Sequence, residues 1–248
     1  MSKSGNRAVA SVKLLRGFEM RLDGRLVALP APAERMVALL AIRARPQHRR
    51  NLAATLWMDS TESRAAASLR TALWRTRQTV GDCVEVRGAM LALAPHVSVD
   101  LNDLMNHSRR LLGDNTCISV EDVDPADLDG DLLPDWDEDW ILFERERMRQ
   151  LRIHALEAMC HKLSLVGRPG PAIDAGLAAV AAEPLRETAQ RILIAAYLRE
   201  GNVCEARRQY HVYSELLRDA LGIEPSESLR ALLKSAGTGH DGPASPAR

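Results

Sequence analysis

Apolar positions in the first thirty residues alternate in short runs. Val12 and Leu14, then Phe18, Met20 and Leu22, then Leu26, Val27 and Leu29 predict three short strands. Asp23-Gly24 between the last two supplies a two-residue hairpin turn, because a type I′ turn needs positive φ at both positions. Pro30 and Pro32 end the sheet and open a helix. From Ala33 to Arg43 the period changes: Met36, Leu39 and Leu40 recur at helical spacing until Arg45-Pro46 stops the run. Leu52, Leu56 and Trp57 mark a second, short helix that begins near Arg49 and ends before Asp59. A third runs from Thr61 to Val80, with Thr61 or Ser60 able to cap it and Gly81-Asp82 closing it. Val84 to Val86 and Met90 to Leu93 then predict a hairpin with its tight turn at Arg87-Gly88-Ala89. Three strands, three helices and a terminal hairpin are the layout of a winged helix.

Beyond Val97 the pattern becomes helical. A helix is predicted from Leu101 to Leu112, and the stretch from Gly113 to Asp139 is acidic and turn-rich. Thirteen carboxylates stand between Asp114 and Glu146 against the single Arg145. Residues 154–187 and 188–221 then look like an internal repeat of period 34, in which Gly167 matches Gly201 and Ala172 matches Ala206. A glycine turn followed five residues later by a small residue lets two antiparallel helices approach closely, which is the logic of tetratricopeptide repeats. Pro184 ends the first repeat. The second delays its proline to Pro225, so its last helix should be the longer. The fold expected is mainly α, with small β-sheets only at the start. A winged helix-turn-helix over 12–99, of the response-regulator DNA-binding type, precedes an all-α tetratricopeptide-like domain over 100–235, with disordered ends at 1–11 and 236–248.

Charge sharpens this division. The chain carries 33 basic and 33 acidic residues, yet residues 1–99 hold a net +9 and residues 100–248 a net −9. Such segregation points to a nucleic-acid-binding module joined to something else. No run approaches the ~18 consecutive apolar residues of a membrane span, and the polar N-terminus lacks a signal peptide's apolar core. A cytoplasmic protein without membrane contact is expected. Cys83, Cys117, Cys160 and Cys204 are scattered without a CxxC or a Cys/His cluster, so reduced, partly buried thiols are expected and no metal site.

The third helix carries the candidate chemistry. At 100° per residue Ala66, Leu69, Leu73, Thr76 and Val80 form one stripe, assigned to the core. The opposite face carries Arg64, Ala67, Ser68, Thr71, Trp74, Arg75 and Gln78, with Arg70 and Arg77 on one flank. Small and hydrogen-bonding side chains let a helix sit deep in a major groove, arginine reads guanine bidentately, and any carboxylate would repel phosphate; the helix has none after Glu62. A merely solvated face would mix glutamate with arginine. His48, Arg49 and Arg50 open the second helix, where backbone N–H groups already favour an anion. Arg87 sits at the wing tip, placed to meet the minor groove. Trp74 has two readings, contact with thymine methyls or sugars and burial against the second domain.

These residues resemble the Streptomyces antibiotic regulatory protein family over 12–235. The resemblance rests on Leu15-Arg16-Gly17-Phe18-Glu19 followed by Asp23-Gly24, on Leu52-Ala53-Ala54-Thr55-Leu56-Trp57, and on Ser68-Leu69-Arg70-Thr71-Ala72-Leu73-Trp74-Arg75. In the second half it rests on Leu132-Leu133-Pro134, Trp140, Glu144-Arg145-Glu146-Arg147 and Leu221-Gly222-Ile223-Glu224-Pro225, similar to that family's bacterial transcriptional activation domain. It implies an activator of a secondary-metabolite (antibiotic) gene cluster that binds direct repeats in promoter DNA and helps recruit RNA polymerase holoenzyme. Recognition roles fall on Arg70, Thr71 and Arg75, and the wing role on Arg87. Tandem sites favour paired protomers, which leaves a homodimer open. The chain departs from the family at Thr76, where leucine is usual, at His48, near a usual serine cap, and in lacking the wing tyrosine. Larger relatives append an ATPase, but no GxxxxGK[ST] occurs here, so no nucleotide or other cofactor is expected.

Two other classes compete. An enzyme would need a motif such as GxSxG, HExxH or a GxGxxG that follows a strand, and none is present. Asp127, Asp129 and Gly130-Asp131 hint at a calcium loop, but with Gly130 at loop position 6 the first ligand position is Pro125. A solvated linker, or a surface for a basic partner, suits the acidic run better. The second competitor is a tetratricopeptide-like scaffold whose winged helix binds no DNA, and the net +9 of residues 1–99 argues against it.

Overall fold

The computed structural model describes residues 9–113 and 124–237. The tail after 237, the first eight residues, part of the acidic stretch and Cys117 lie outside the described residues. The chain divides into two compact units, residues 1–106 with 130–148 and residues 107–129 with 149–248.

The first unit opens on a four-stranded sheet in the order β3-β2-β1-β7, with β1 Ala10–Lys13, β2 Glu19–Leu22, β3 Arg25–Leu26 and β7 Val97–Val99. β1 lies antiparallel to β2 with Val12 opposite Met20, and parallel to β7 with Val12 opposite Val99. All three of these side chains are buried, so one face of the alternating pattern is the core face. Asp23 and Gly24 have φ of 50° and 78°, the left-handed pair that a type I′ hairpin requires. Helix α1 (Ala31–Arg43) carries a proline in its first turn and ends at Ala44, whose left-handed φ of 48° lets its N–H close on the Leu40 carbonyl at 3.1 Å. Helices α2 (Arg49–Leu56) and α3 (Glu62–Val80) follow, then the wing hairpin β5 (Val84–Arg87) and β6 (Met90–Leu93). A two-residue strand β4 (Gln47–His48) joins the wing, giving a second sheet in the order β4-β6-β5.

The buried stripe of α3 differs in part from the expected one. It comprises Ala65, Leu69, Ala72, Thr76 and Val80, whereas Ala66 and Leu73 are half-buried. Small alanine faces let α1 and α2 come close, and that packing rotates the helix by a fraction of a turn from the larger side chains. Thr61 stands at the N-cap with an extended backbone but makes no side-chain cap bond. Thr76 is tolerated in the core because its hydroxyl donates to the Ala72 carbonyl at 2.9 Å.

Asp100, at the start of helix α4 (Asp100–Leu112), holds the end of β1. It accepts from the N–H groups of Leu14 (2.9 Å to Oδ1), Leu15 (3.0 Å to Oδ2) and Leu101 (2.7 Å to Oδ1). Burial pushes its carboxyl above the ordinary range, partly offset by these three donors. Asp100→Ala leaves the Leu14 and Leu15 donors unsatisfied, and the expected cost is about 2–4 kcal/mol, read as a lower urea midpoint at unchanged slope.

Residues 130–148 complete this unit. Leu132 forms an antiparallel bridge with Leu15, the Leu133 N–H donates to the Leu14 carbonyl at 2.9 Å, and the Arg16 N–H donates to the Asp131 carbonyl at 2.8 Å. Gly130 is required there: its φ is +116°, and a Cβ would lie 3.0 Å from that of Leu15. Arg145, the lone cation of the acidic run, donates to the carbonyls of Leu132 (3.0 Å), Leu133 (2.5 Å) and Trp136 (2.9 Å), so its guanidinium ties the 132–136 turn. Trp136 stacks on Phe18 and meets Trp140 edge-on, while Arg35–Glu138 (2.6 Å) and Arg43–Glu144 (3.1 Å) pair α1 with this segment. Trp140 and Glu138 lie near the start of a long helix, α5 (Asp139–Leu165), whose residues 139–148 belong to the first unit and 149–165 to the second.

The second unit is helical in its described residues. α6 (Pro169–Ala182), α7 (Glu187–Glu200), α8 (Val203–Leu221) and α9 (Glu227–Gly237) follow α5. Gly167, Gly201 and Gly222 turn the chain with φ of 76°, 88° and 68°. α8 is longer than α6, as the delayed Pro225 requires. Leu156, Met159, Cys160, Ala172, Ala175 and Ala179 share one core cluster; Ala206, Tyr213 and Leu217 share another. The glycine-then-alanine spacing thus buries Ala172 and Ala206, consistent with a tetratricopeptide-like packing of small residues between helices. Cys83 and Cys160 are buried, which pushes their thiols up to about 11 and about 12, while Cys204 is exposed.

Candidate nucleic-acid interface

Three elements of the first unit converge on one basic surface: the start of α2, the outer face of α3 and the wing turn. The Arg49 N–H donates to the Ala89 carbonyl at 2.8 Å, and its guanidinium reaches the Gly88 carbonyl at 3.3 Å. These bonds, with the β4–β6 pairing of His48 opposite Met90, fix the wing against the helix start. His48 is the N-cap of α2, its Nδ1 accepting from the Arg50 N–H at 3.3 Å, so the histidine fills the serine role. A cleft of about 530 Å³ runs between α2 and α3, lined in part by His48, Arg49, Arg50, Glu62 and Arg70. A groove of about 600 Å³, with Trp74, Arg77, Val86 and Arg87 in its walls, separates α3 from the wing.

Of the expected site residues, Arg49, Arg50, Arg64, Arg70, Thr71, Trp74, Arg75, Arg77, Gln78 and Arg87 are exposed and Ser68 is half-buried. Trp74 keeps 55% of its surface exposed, and the Arg75 guanidinium lies over its ring, 5.0 Å from the centroid. The Thr71 hydroxyl donates to the Ala67 carbonyl at 3.1 Å, leaving its oxygen as an acceptor only. Ser68, Thr71 and Arg75 also line a shallow pocket beside Pro30 and Trp57 at the start of α1.

The arginines fall into two sets. Arg64, Arg70 and Arg75 have no carboxylate partner among the described residues. Arg50 is paired with Glu62 (2.9 Å), Arg77 with Asp82 (3.2 Å) and Arg87 with Glu85 (2.7 Å). The sequence pattern shows Glu62 at the start of α3 but does not by itself show that these three carboxylates pair with Arg50, Arg77 and Arg87. One was visible in principle: Glu85 and Arg87 are two apart on a strand and share a face. The Arg50–Glu62 pair, by contrast, depends on how α2 packs on α3. Among the described residues no group of three or more His, Cys, Asp and Glu side chains is arranged to hold a metal, and no helix is long and apolar enough to cross a membrane.

Comparison with known proteins agrees with this architecture. The bacterial transcriptional activator domain family matches residues 126–235. The chain is 27% identical over 221 residues to the regulatory protein AfsR of Streptomyces coelicolor, an alignment covering 85% of this chain and 22% of that protein. It is also 27% identical over 229 residues to AfsR of Streptomyces griseus, covering 89% and 23%. The chain therefore spans less than a quarter of the length of these relatives. Among solved structures, Mycobacterium tuberculosis EmbR in complex with a low-affinity phosphopeptide superposes with a TM-score of 0.75 at 23% identity, covering 92% of this chain and 65% of that one, a likeness of fold. A winged helix thus precedes in the chain a domain that matches the bacterial transcriptional activator domain family, an arrangement similar to that of the Streptomyces antibiotic regulatory protein type.

Proposed function

We propose that the chain is a sequence-specific DNA-binding activator, working in the cytoplasm at direct repeats in promoter DNA and helping recruit RNA polymerase holoenzyme to a secondary-metabolite gene cluster. One observation carries the reading: the outer face of α3 presents Arg64, Arg70 and Arg75 without carboxylate partners among the described residues, between small and hydrogen-bonding side chains. A helix so furnished fits a major groove, where guanidinium groups find guanine edges and flanking phosphates. Arg49 at the start of α2 and Arg87 on the wing flank it on both sides and supply backbone contacts that fix register. The repeated sites favour two protomers bound in tandem.

The test is binding of the purified chain to a duplex from upstream of its neighbouring operon, measured by fluorescence anisotropy between 50 and 200 mM salt. The expected result is a linear log–log loss of affinity, with a slope of roughly 0.9 for each phosphate neutralised. No binding at low ionic strength, or binding indifferent to salt, would leave the chain as a helical protein-interaction scaffold.

A further inference from the structure

We propose that Glu62, Asp82 and Glu85 are built-in counter-charges that set how strongly the protein discriminates its operator from other DNA; this rests on the DNA-binding reading above. Each holds one arginine of the candidate interface. Arg50 meets Glu62 through two contacts, Nε to Oε1 at 2.9 Å and Nη2 to Oε2 at 3.1 Å. Arg77 meets Asp82 at 3.2 Å and Arg87 meets Glu85 at 2.7 Å. The pairs sit at three separate points of the surface: the junction of α2 with α3, the end of α3, and the wing.

Stability does not account for them. The side chains of the first two pairs are 68–75% exposed, and Arg87 is 79% exposed, so solvent screens the attraction and each pair contributes little to folding. Their consequence lies in the field that DNA meets. A guanidinium within about 3 Å of a carboxylate presents almost no net charge to an approaching duplex, and the carboxylate repels phosphate. On DNA of arbitrary sequence these three arginines keep their partners, and sequence-indifferent attraction falls to Arg49, Arg64, Arg70 and Arg75. On the operator, where α3 is seated in register, each guanidinium can exchange its carboxylate for a phosphate or base edge at contact distance. The exchange favours only a complex that brings the new acceptor close. The paired arginines thus act as conditional contacts and the unpaired ones as unconditional contacts.

Neutralising the carboxylates removes the condition. The full chain carrying Glu62→Gln, Asp82→Asn and Glu85→Gln, with each single variant beside it, is titrated against a random-sequence 30-base-pair duplex and against the best duplex selected by the parent from a random pool. Circular dichroism verifies that each variant is folded. The triple variant is expected to bind random duplex roughly tenfold or more tightly, with a log–log salt slope steeper by about 2 to 3. The selected duplex should gain less, so the ratio of the two affinities falls. Unchanged random-duplex affinity and slope overturn the proposal, as does an equal gain on both duplexes, which would make the carboxylates a general brake without a part in discrimination. A parent that ignores every duplex removes the DNA-binding reading itself, an outcome distinct from both.

Discussion

Arg70→Ala and Arg75→Ala together should weaken binding to the preferred duplex by on the order of 100- to 1,000-fold, since each bidentate pairing of an arginine with a base is worth roughly 1–3 kcal/mol. Both side chains are exposed on α3 and neither has a carboxylate partner among the described residues, so their removal breaks no ion pair there. Arg75 is further organised by its place over the Trp74 ring at 5.0 Å, which limits the rotamers it must give up on binding. Arg49→Ala is the contrasting variant. That side chain touches the Gly88 carbonyl and faces the start of α2, so its loss should weaken all duplexes alike and lower the salt slope by about 1. If the double variant bound its preferred duplex as tightly as the parent, the reading face of α3 would be wrongly assigned.

The parts of this architecture that follow from nearest-neighbour chemistry were legible in the sequence. Asp23-Gly24 announces its hairpin because only a left-handed pair fits a two-residue turn, and both residues have positive φ. Gly167 and Gly201 announce the helix turns of the second unit in the same way. Helix α3 was legible in extent but not in rotation. Alanine is nearly neutral as a hydrophobic signal, so the choice between Ala65 with Ala72 and Ala66 with Leu73 is made by packing against α1 and α2. β4 is two residues long, too short to show a period, and exists only because β6 lies beside it. The union of Gly130–Leu133 with Leu14–Arg16 crosses more than a hundred residues of chain and leaves no local mark, beyond a glycine whose need for positive φ does not name its neighbour. The charge pairs of the interface follow the same rule: Arg87–Glu85 is local and readable, Arg50–Glu62 is tertiary and is not.

That long-range union has a large expected consequence. Leu132→Asp, placed in the stretch matched by the bacterial transcriptional activator domain family, should abolish duplex binding although it is remote in sequence from α3. Leu132 is 2% exposed, bridges Leu15 on the strand side of the first unit, and lends its carbonyl to Arg145. An aspartate there must be buried at a site that holds a leucine at 2% exposure, or must tear the 130–136 turn from the Leu14–Arg16 segment. Either course should cost about 4 kcal/mol, a large share of the ~5–15 kcal/mol that holds a domain folded. Leu142→Asp is the matched control, since Leu142 is 51% exposed on α5 only ten residues away and its replacement should leave both melting temperature and DNA affinity near the parent's. Thermal unfolding and anisotropy on the two variants read the difference directly. Equal behaviour of Leu132→Asp and Leu142→Asp would mean that the winged helix stands without residues 130–148, and the account of Gly130, Leu133 and Arg145 as its structural members would fall with it.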